Sequence, residues 1–427
     1  MGILMPKPLI VIPMATKLHG EEYYLSVLEV FHRKLKQYAL DFHEEVITEA
    51  DKVIQVAKKY ANYLPILLLL TGGTSRMVKK FVDAGAFDRA VILAHGEHNS
   101  LASAISARSK LEADGIWTWI FHCLSISDPE CDLQLDRMAR VLKAVTQVLE
   151  SRIGLIGIES KTEAAENFEA RFGTEIVTIP MDEFENVIHS VDVEEARRVA
   201  DEISELIRFE SPRDKLVDVG RMYLAIKKLF TERKLDAVAI DCFPYLIKHG
   251  VTPCLALAKL NKEGYLVACE GDVQSLLSMI ISSSLTGYSG WIANAVMFKG
   301  NRGYFAHCTI ALNMIKDGVA MPHFESGYPY ALTGRLIHSV GTIVSINSDF
   351  SLMAAAVVRV IQSGLLSYGM CRSQMVAEFD LNVEKIPLVA PANHHVFIPG
   401  DVREELKAIG ALLGIDYVEY SELIAMV

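Results

Sequence analysis

Pro65-Ile66-Leu67-Leu68-Leu69-Leu70-Thr71-Gly72-Gly73-Thr74 decides how the chain folds. Its first six residues are uniformly apolar. They fall far short of the about 20 apolar residues that a membrane span needs, and they suit a strand buried on both faces. Thr71, Gly72, Gly73 and Thr74 then close the strand with small and hydroxyl residues. The same alternation continues on either side. Residues 8–12 read as a short strand, 21 to about 39 as a helix, 90–94 as a strand closed by His95-Gly96-Glu97-His98-Asn99-Ser100, and 116–123 as one more strand. The apolar start, 8–14 between Lys7 and Lys17, is read as the first strand and not as a signal peptide, because no small-residue cleavage site precedes a mature start. Apolar strands separated by helices form a parallel sheet covered on both faces. In such sheets ligand groups gather past the carboxyl ends of the strands, where Thr71 to Thr74, His95 and Asn99 fall.

The pattern restarts near Ser151. Residues 152–158 and 175–179 read as strands, 162–172 and 193–209 as helices, 215–232 as a long helix and 237–241 as a strand. Turn residues at Leu285-Thr286-Gly287-Tyr288-Ser289-Gly290 mark a boundary. Beyond it, 296–311, 334–347 and 388–399 are rich in β-branched and aromatic residues broken by Gly, Pro and Asn. Residues 352–366, which include Arg359 and Gln362, are expected to form a packed helix, and 402–413 an amphipathic one. The fold class is therefore α/β: two Rossmann-like parallel-sheet domains, 1–145 and 146–287, followed by a β-rich C-terminal domain, 288–427.

The formal charge is −11 and no basic run stands out, which argues against a nucleic-acid or anionic-membrane partner. Mean hydropathy is +0.25 without a membrane span, which points to buried helices and an oligomer interface. The cysteines number seven and no C-x-x-C occurs, so reduced, buried thiols in a cytoplasmic protein are expected.

Three places carry residues suited to chemistry. Cys269-Glu270-Gly271-Asp272-Val273 follows an apolar strand and precedes a helix, so a carboxylate there is part-buried; Asp272 suits the helix cap. His307 interrupts an otherwise uncharged strand-like run, Tyr304-Phe305-Ala306-His307-Cys308-Thr309-Ile310. His394 and His395 are adjacent, so in a strand they face opposite ways and one of them can enter a site. One carboxylate and two histidine sites suit a borderline divalent ion such as Mn²⁺, with water or substrate oxygens completing its shell. His323-Phe324-Glu325 forms a loop with two titratable groups. There is no P-loop, dinucleotide fingerprint or G-x-S-x-G elbow.

Taken together, His95 to Ala104, Pro253 to Ala256, Cys269 to Asp272, His307 to Thr309, His323 to Gly327 and Asn393 to His395 resemble, in family order, the shorter form of the L-fucose isomerase family, which is itself similar to L-arabinose isomerase. The resemblance implies Mn²⁺-dependent aldose–ketose isomerisation of a small-molecule sugar through a cis-enediolate. It implies Glu270 as metal ligand and proton-transfer carboxylate, one of His394 and His395 as a ligand, and His307 as the ligand of the arabinose branch. It also implies a homo-oligomer, trimer or hexamer, with shared active sites. There Thr71, Gly72, Gly73, Thr74, His95 and Asn99 would serve the substrate side across an interface, alongside His323. Asn294 departs from the pattern, because it stands where relatives place a second acidic ligand. An amide oxygen can coordinate a metal but takes no proton. Three outcomes follow: His307 or Glu325 takes over as ligand or base, the substrate differs, or the chain binds a sugar without converting it.

Overall fold

A computed structural model describes residues 8–38 and 40–427; Lys7 and the expected helix end at Ala39 lie outside them. The apolar runs form parallel strands. β1 (Leu9–Met14), β2 (Asp41–Phe42), β3 (Leu64–Leu69), β4 (Arg89–His95) and β5 (Trp117–Cys123) build one parallel sheet in the order β2-β1-β3-β4-β5. All six residues of β3 are buried, because helices cover both faces of a sheet of this kind. Neighbour order reverses between β1 and β3, the place where such sheets open a crevice. This sheet and its helices belong to a compact unit made of the described residues up to Thr146 together with 407–415. Within it the Arg89 guanidinium donates to the Leu412 carbonyl at 3.2 Å.

Cys123 and Cys131 form a disulfide in this unit, which corrects the expectation that all seven thiols are reduced. Cys123 ends β5, and the chain turns back through 125–128 to begin the helix Glu130–Glu150, so the two Cα atoms come within 4.7 Å. A separation of eight residues carries no recognisable disulfide signature.

The second unit, residues 147–406 and 416–427, holds the remaining sheets. β6 (Arg152–Ile156), β7 (Glu175–Ile179), β9 (Ala237–Ile240) and β10 (Leu266–Ala268) form a parallel sheet in the order β10-β9-β6-β7, while β8 (Arg208–Phe209) pairs elsewhere. Then follow β11 (Trp291–Lys299), β12 (Arg302–His307), β13 (Ile315–Met321), β14 (Ala331–Leu336), β15 (Val340–Ile346), β16 (Leu352–Gly364), β17 (Ser373–Glu378), β18 (His394–Pro399) and β19 (Asp416–Glu419). Pairing runs β15-β18-β11-β12-β17-β16 and closes through β16–β15, so six antiparallel strands make a barrel without free edges. β19 pairs in parallel with the start of β16, and β13, β14 and β8 form a small separate sheet.

β16 corrects the helix expected over 352–366. Ala, Val and Ile dominate it, and Met353 to Ala356 are buried without a break because both faces of the strand are covered there. The alternation that marks a half-exposed strand is therefore missing, and an apolar run of this kind does not separate helix from strand.

The helix Val273–Thr286 is buried nearly all round and packs on β9, β10, β15 and β18. One apolar core runs from Ile156 and Phe184 through Trp291 and Phe305 to Phe397 and Tyr420. Trp291 is buried and donates its indole N–H to the Thr309 carbonyl at 3.0 Å. Truncating so large a side chain costs about 3–5 kcal/mol. Among the described residues no helix is long and apolar enough to cross a membrane.

Candidate functional site

β10 ends at Ala268, and the chain must then turn sharply into the helix Val273–Thr286. Glu270 makes that turn at φ +60° and Gly271 follows at φ +64°. A left-handed backbone costs a non-glycine residue about 1–2 kcal/mol, and such strain collects at functional positions. The turn tethers itself through the Gly271 N–H, which donates to the Ile240 carbonyl at 2.9 Å. Asp272 caps the helix as expected, with one carboxylate oxygen accepting from the Ser275 N–H at 2.8 Å. Its other oxygen accepts from His394 Nδ1 at 2.7 Å. The cap therefore also fixes the His394 ring and leaves its Nε2 lone pair free, the arrangement that prepares an imidazole for a metal.

His394 begins β18 and His307 ends β12, so both lie at barrel-strand ends near the Glu270 turn. His394 Nε2 stands 3.7 Å from one Glu270 oxygen, and His307 Nε2 stands 3.4 Å from the other. One donor atom from each of the three residues lies within 4.8 Å of the others. His307 is only 2% exposed. Among the described residues neither of its ring nitrogens has a hydrogen-bond partner, nor has His394 Nε2. An unmet polar group in a protein interior costs about 1–3 kcal/mol, so these atoms point to a missing ligand. The donor set, one carboxylate and two imidazoles, fits a divalent transition ion.

The charges agree. The His307 imidazole holds the Glu270 carboxyl below its usual range; burial opposes this and the His394 charge supports it. For His394, burial disfavours the charged ring, but the Asp272 contact and the fields of Asp272 and Glu270 outweigh it and raise the pKa.

His395 is not brought to the cluster. As its neighbour faces the site, it faces the core, where Nδ1–H donates to the Asn393 carbonyl at 3.0 Å and Nε2 meets the Tyr420 hydroxyl at 2.6 Å. Burial lowers its pKa to about 4. Asn294 pairs with His394 across β11 and β18, and its carboxamide oxygen accepts from Asn393 at 2.5 Å. His323 is buried in the loop between β13 and β14. Its Nδ1 accepts from the Ser326 N–H at 3.3 Å, so the proton of the neutral ring sits on Nε2. Burial lowers its pKa; the Glu325 charge opposes this, the Arg372 charge adds to it, and the Glu270 charge also reaches the ring. Glu325, in the same loop, is exposed and stays outside the carboxylate–histidine cluster.

The first unit brings its own candidates together at the ends of β1, β3 and β4. Thr71 Oγ1 accepts from the Thr16 N–H at 2.9 Å, and Thr74 Oγ1 lies 2.9 Å from Ser103 Oγ. Gly72 donates to the His98 carbonyl at 2.8 Å, and a Cβ there would sit 2.7 Å from that of Asn99. His95 is fully buried; Nδ1 accepts from the Glu97 N–H at 3.3 Å and Nε2 reaches the Leu70 carbonyl at 3.1 Å. Gly73, His98 and Asn99 form the exposed part of this edge.

Sequence reasoning missed two neighbours of the cluster. Asp272 was legible as a cap but not as the partner of His394. Asp241 follows β9; burial and then the Glu270 charge raise its pKa, against a hydrogen bond from the Phe243 backbone. Its only signal was its place after an apolar parallel strand. Arg372, which also had no signal, is not itself in contact with the cluster; it directly precedes Ser373, which pairs with His307.

The chain is similar to a sulfoquinovose isomerase of Alkalicoccus urumqiensis, with 28% identity over 188 residues. The match covers 41% of this chain and 42% of that protein, so the chain spans about two fifths of the relative's length. No family model matches the chain.

Proposed function

We propose that the chain is a divalent-metal-dependent aldose–ketose isomerase of the fucose/arabinose type. The observation that carries this reading is the convergence of Glu270, His307 and His394 with three ring nitrogens that make no hydrogen bond among the described residues. The similarity to a sugar isomerase supports the reaction class. Glu270, His307 and His394 would hold the ion, with Mn²⁺ the expected one, and three protein ligands leave room for sugar oxygens. When bound, the ion supplies Lewis-acid stabilisation of the negative charge that develops on the carbonyl and neighbouring hydroxyl oxygens.

The chain's own residues move the protons. Glu270 is held ionised, so one of its oxygens can take the proton from the hydroxyl-bearing carbon and return it to the former carbonyl carbon. His323, neutral with its proton on Nε2, can pass that proton to the carbonyl oxygen and take the neighbouring hydroxyl's proton onto the same nitrogen, which returns the ring to its neutral state. Asp272 holds His394 in the orientation that presents Nε2. Glu270→Gln is expected to keep the wild-type melting temperature and lose turnover by about 10²–10⁴-fold, the range for a positioned acid–base group. Full turnover in that variant contradicts the proton shuttle.

Asn294 favours a second reading, a sugar-binding relative that does not convert its ligand. A carboxamide beside His394 brings no charge to the ion. On this reading sugars raise the melting temperature without reacting. Asn294→Asp is expected to tighten Mn²⁺ binding on either reading, and turnover that appears only in that variant selects the second.

A further inference from the structure

Arg372 is not used by the chemistry above. It lies one residue before Ser373, the residue that pairs with His307 across β12 and β17. The surrounding chain converges on the same barrel end: the Leu332 N–H donates to the Cys308 carbonyl at 3.0 Å, and Ser373 Oγ donates to the Leu332 carbonyl at 2.6 Å. The guanidinium is held firmly. Nε donates to the Pro322 carbonyl at 2.8 Å and Nη1 to the Tyr368 carbonyl at 3.1 Å. Its carbon sits 5.5 Å from the Phe324 ring centre and 6.0 Å from that of Tyr368. Among the described residues no carboxylate pairs with it, and Nη2 makes no hydrogen bond. Glu325, the nearest carboxylate along the loop, is exposed and makes no ion pair among the described residues. His323 feels the charge of Glu325 most, then that of Arg372 and then that of Glu270.

A fixed, half-buried guanidinium with an open edge and no counter-ion is built to receive an anion. Beside a metal site that takes the reacting end of a sugar, the anion belongs on the sugar's far end. We infer that Arg372 is a specificity-determining residue, and that the substrate is an aldose bearing a sulfonate or phosphate on its terminal carbon. This inference rests on the isomerase reading for the reacting end of the sugar.

The test uses the full-length, Mn²⁺-loaded protein. Turnover and calorimetric binding are measured for an aldose 6-sulfonate, the matching 6-phosphate and the neutral 6-deoxy sugar, in wild type, Arg372→Gln and Arg372→Lys. Wild type is expected to favour one charged sugar over the neutral one by about 10–100-fold in KM or Kd, the worth of a charged hydrogen bond. Which of the two it favours distinguishes sulfonate from phosphate. Arg372→Gln removes that preference with kcat little changed and leaves the neutral sugar unaffected, while Arg372→Lys restores part of it. Equal weakening of charged and neutral sugars in Arg372→Gln would mean a structural arginine and overturn the assignment, as would wild type that binds neither charged sugar. Charged-sugar binding that Arg372→Gln abolishes, without turnover of any sugar, supports the assignment while the isomerase reading fails. Turnover of neutral sugars alone overturns the assignment while the isomerase reading stands.

Discussion

His95 and His307 look alike in sequence and differ in what surrounds them. Each ends an apolar strand, and each is buried to within 2% of full burial. His95 uses both ring nitrogens within its own unit. Neither ring nitrogen of His307 makes a hydrogen bond among the described residues, and Nε2 has the Glu270 carboxylate at 3.4 Å. The adjacent pair repeats the contrast, since His395 is satisfied at both nitrogens and His394 keeps Nε2 open beside Glu270. A buried imidazole with both bonds made is a structural element. One with open nitrogens facing a carboxylate carries an unmet cost that a ligand would offset.

The contrast gives opposite expectations for the same substitution. His307→Leu should weaken Mn²⁺ binding by at least about 100-fold, more than the loss expected from an outer-shell change. The metal-free variant should melt no lower than wild type, because two unmet polar atoms leave the interior. Paired metal titration and thermal melts check both halves; a large stability loss in the metal-free variant would remove the distinction from His95. His95→Leu should do the reverse. It leaves the Leu70 carbonyl and the Glu97 N–H without their partner, so the first unit should lose about 1–3 kcal/mol in denaturant melts, with Mn²⁺ stoichiometry unchanged.

The adjacent histidine pair separates by pH dependence as well. His395 has a folded pKa of about 4, below the ordinary histidine value of 6.5. The unfolded chain therefore binds the proton first. The stability contributed by the neutral ring is complete above pH 6.5 and is lost as pH falls towards 4, by up to about 3 kcal/mol. His394 has a raised pKa and works in the opposite sense. The difference between wild type and His395→Gln, both metal-free, isolates His395. Wild type should lose stability faster than the variant between pH 7 and 5, and parallel curves would contradict the assignment.

The parallel strands were legible because β3, β4, β6 and β9 are apolar runs closed by turn residues, a pattern set by burial on both faces. β16 was not, because covering both faces of an Ala- and Val-rich strand removes its alternation. At the site, residue types were legible and partnerships were not. The choice between His394 and His395 depends on which face β18 turns to the Glu270 turn. The second role of Asp272 depends on a residue 122 positions further along the chain folding back to it. Asp241 reaches the Glu270 turn only through a convergence of strands that local sequence does not encode.

The account stands most directly on metal binding by the folded chain. Elemental analysis after dialysis against Mn²⁺, on wild type and Glu270→Ala, measures it. The account predicts about one ion per chain in wild type and none retained in the variant, as expected when a three-residue donor set loses its only charged member. No ion in wild type, or the same content in both proteins, would contradict it.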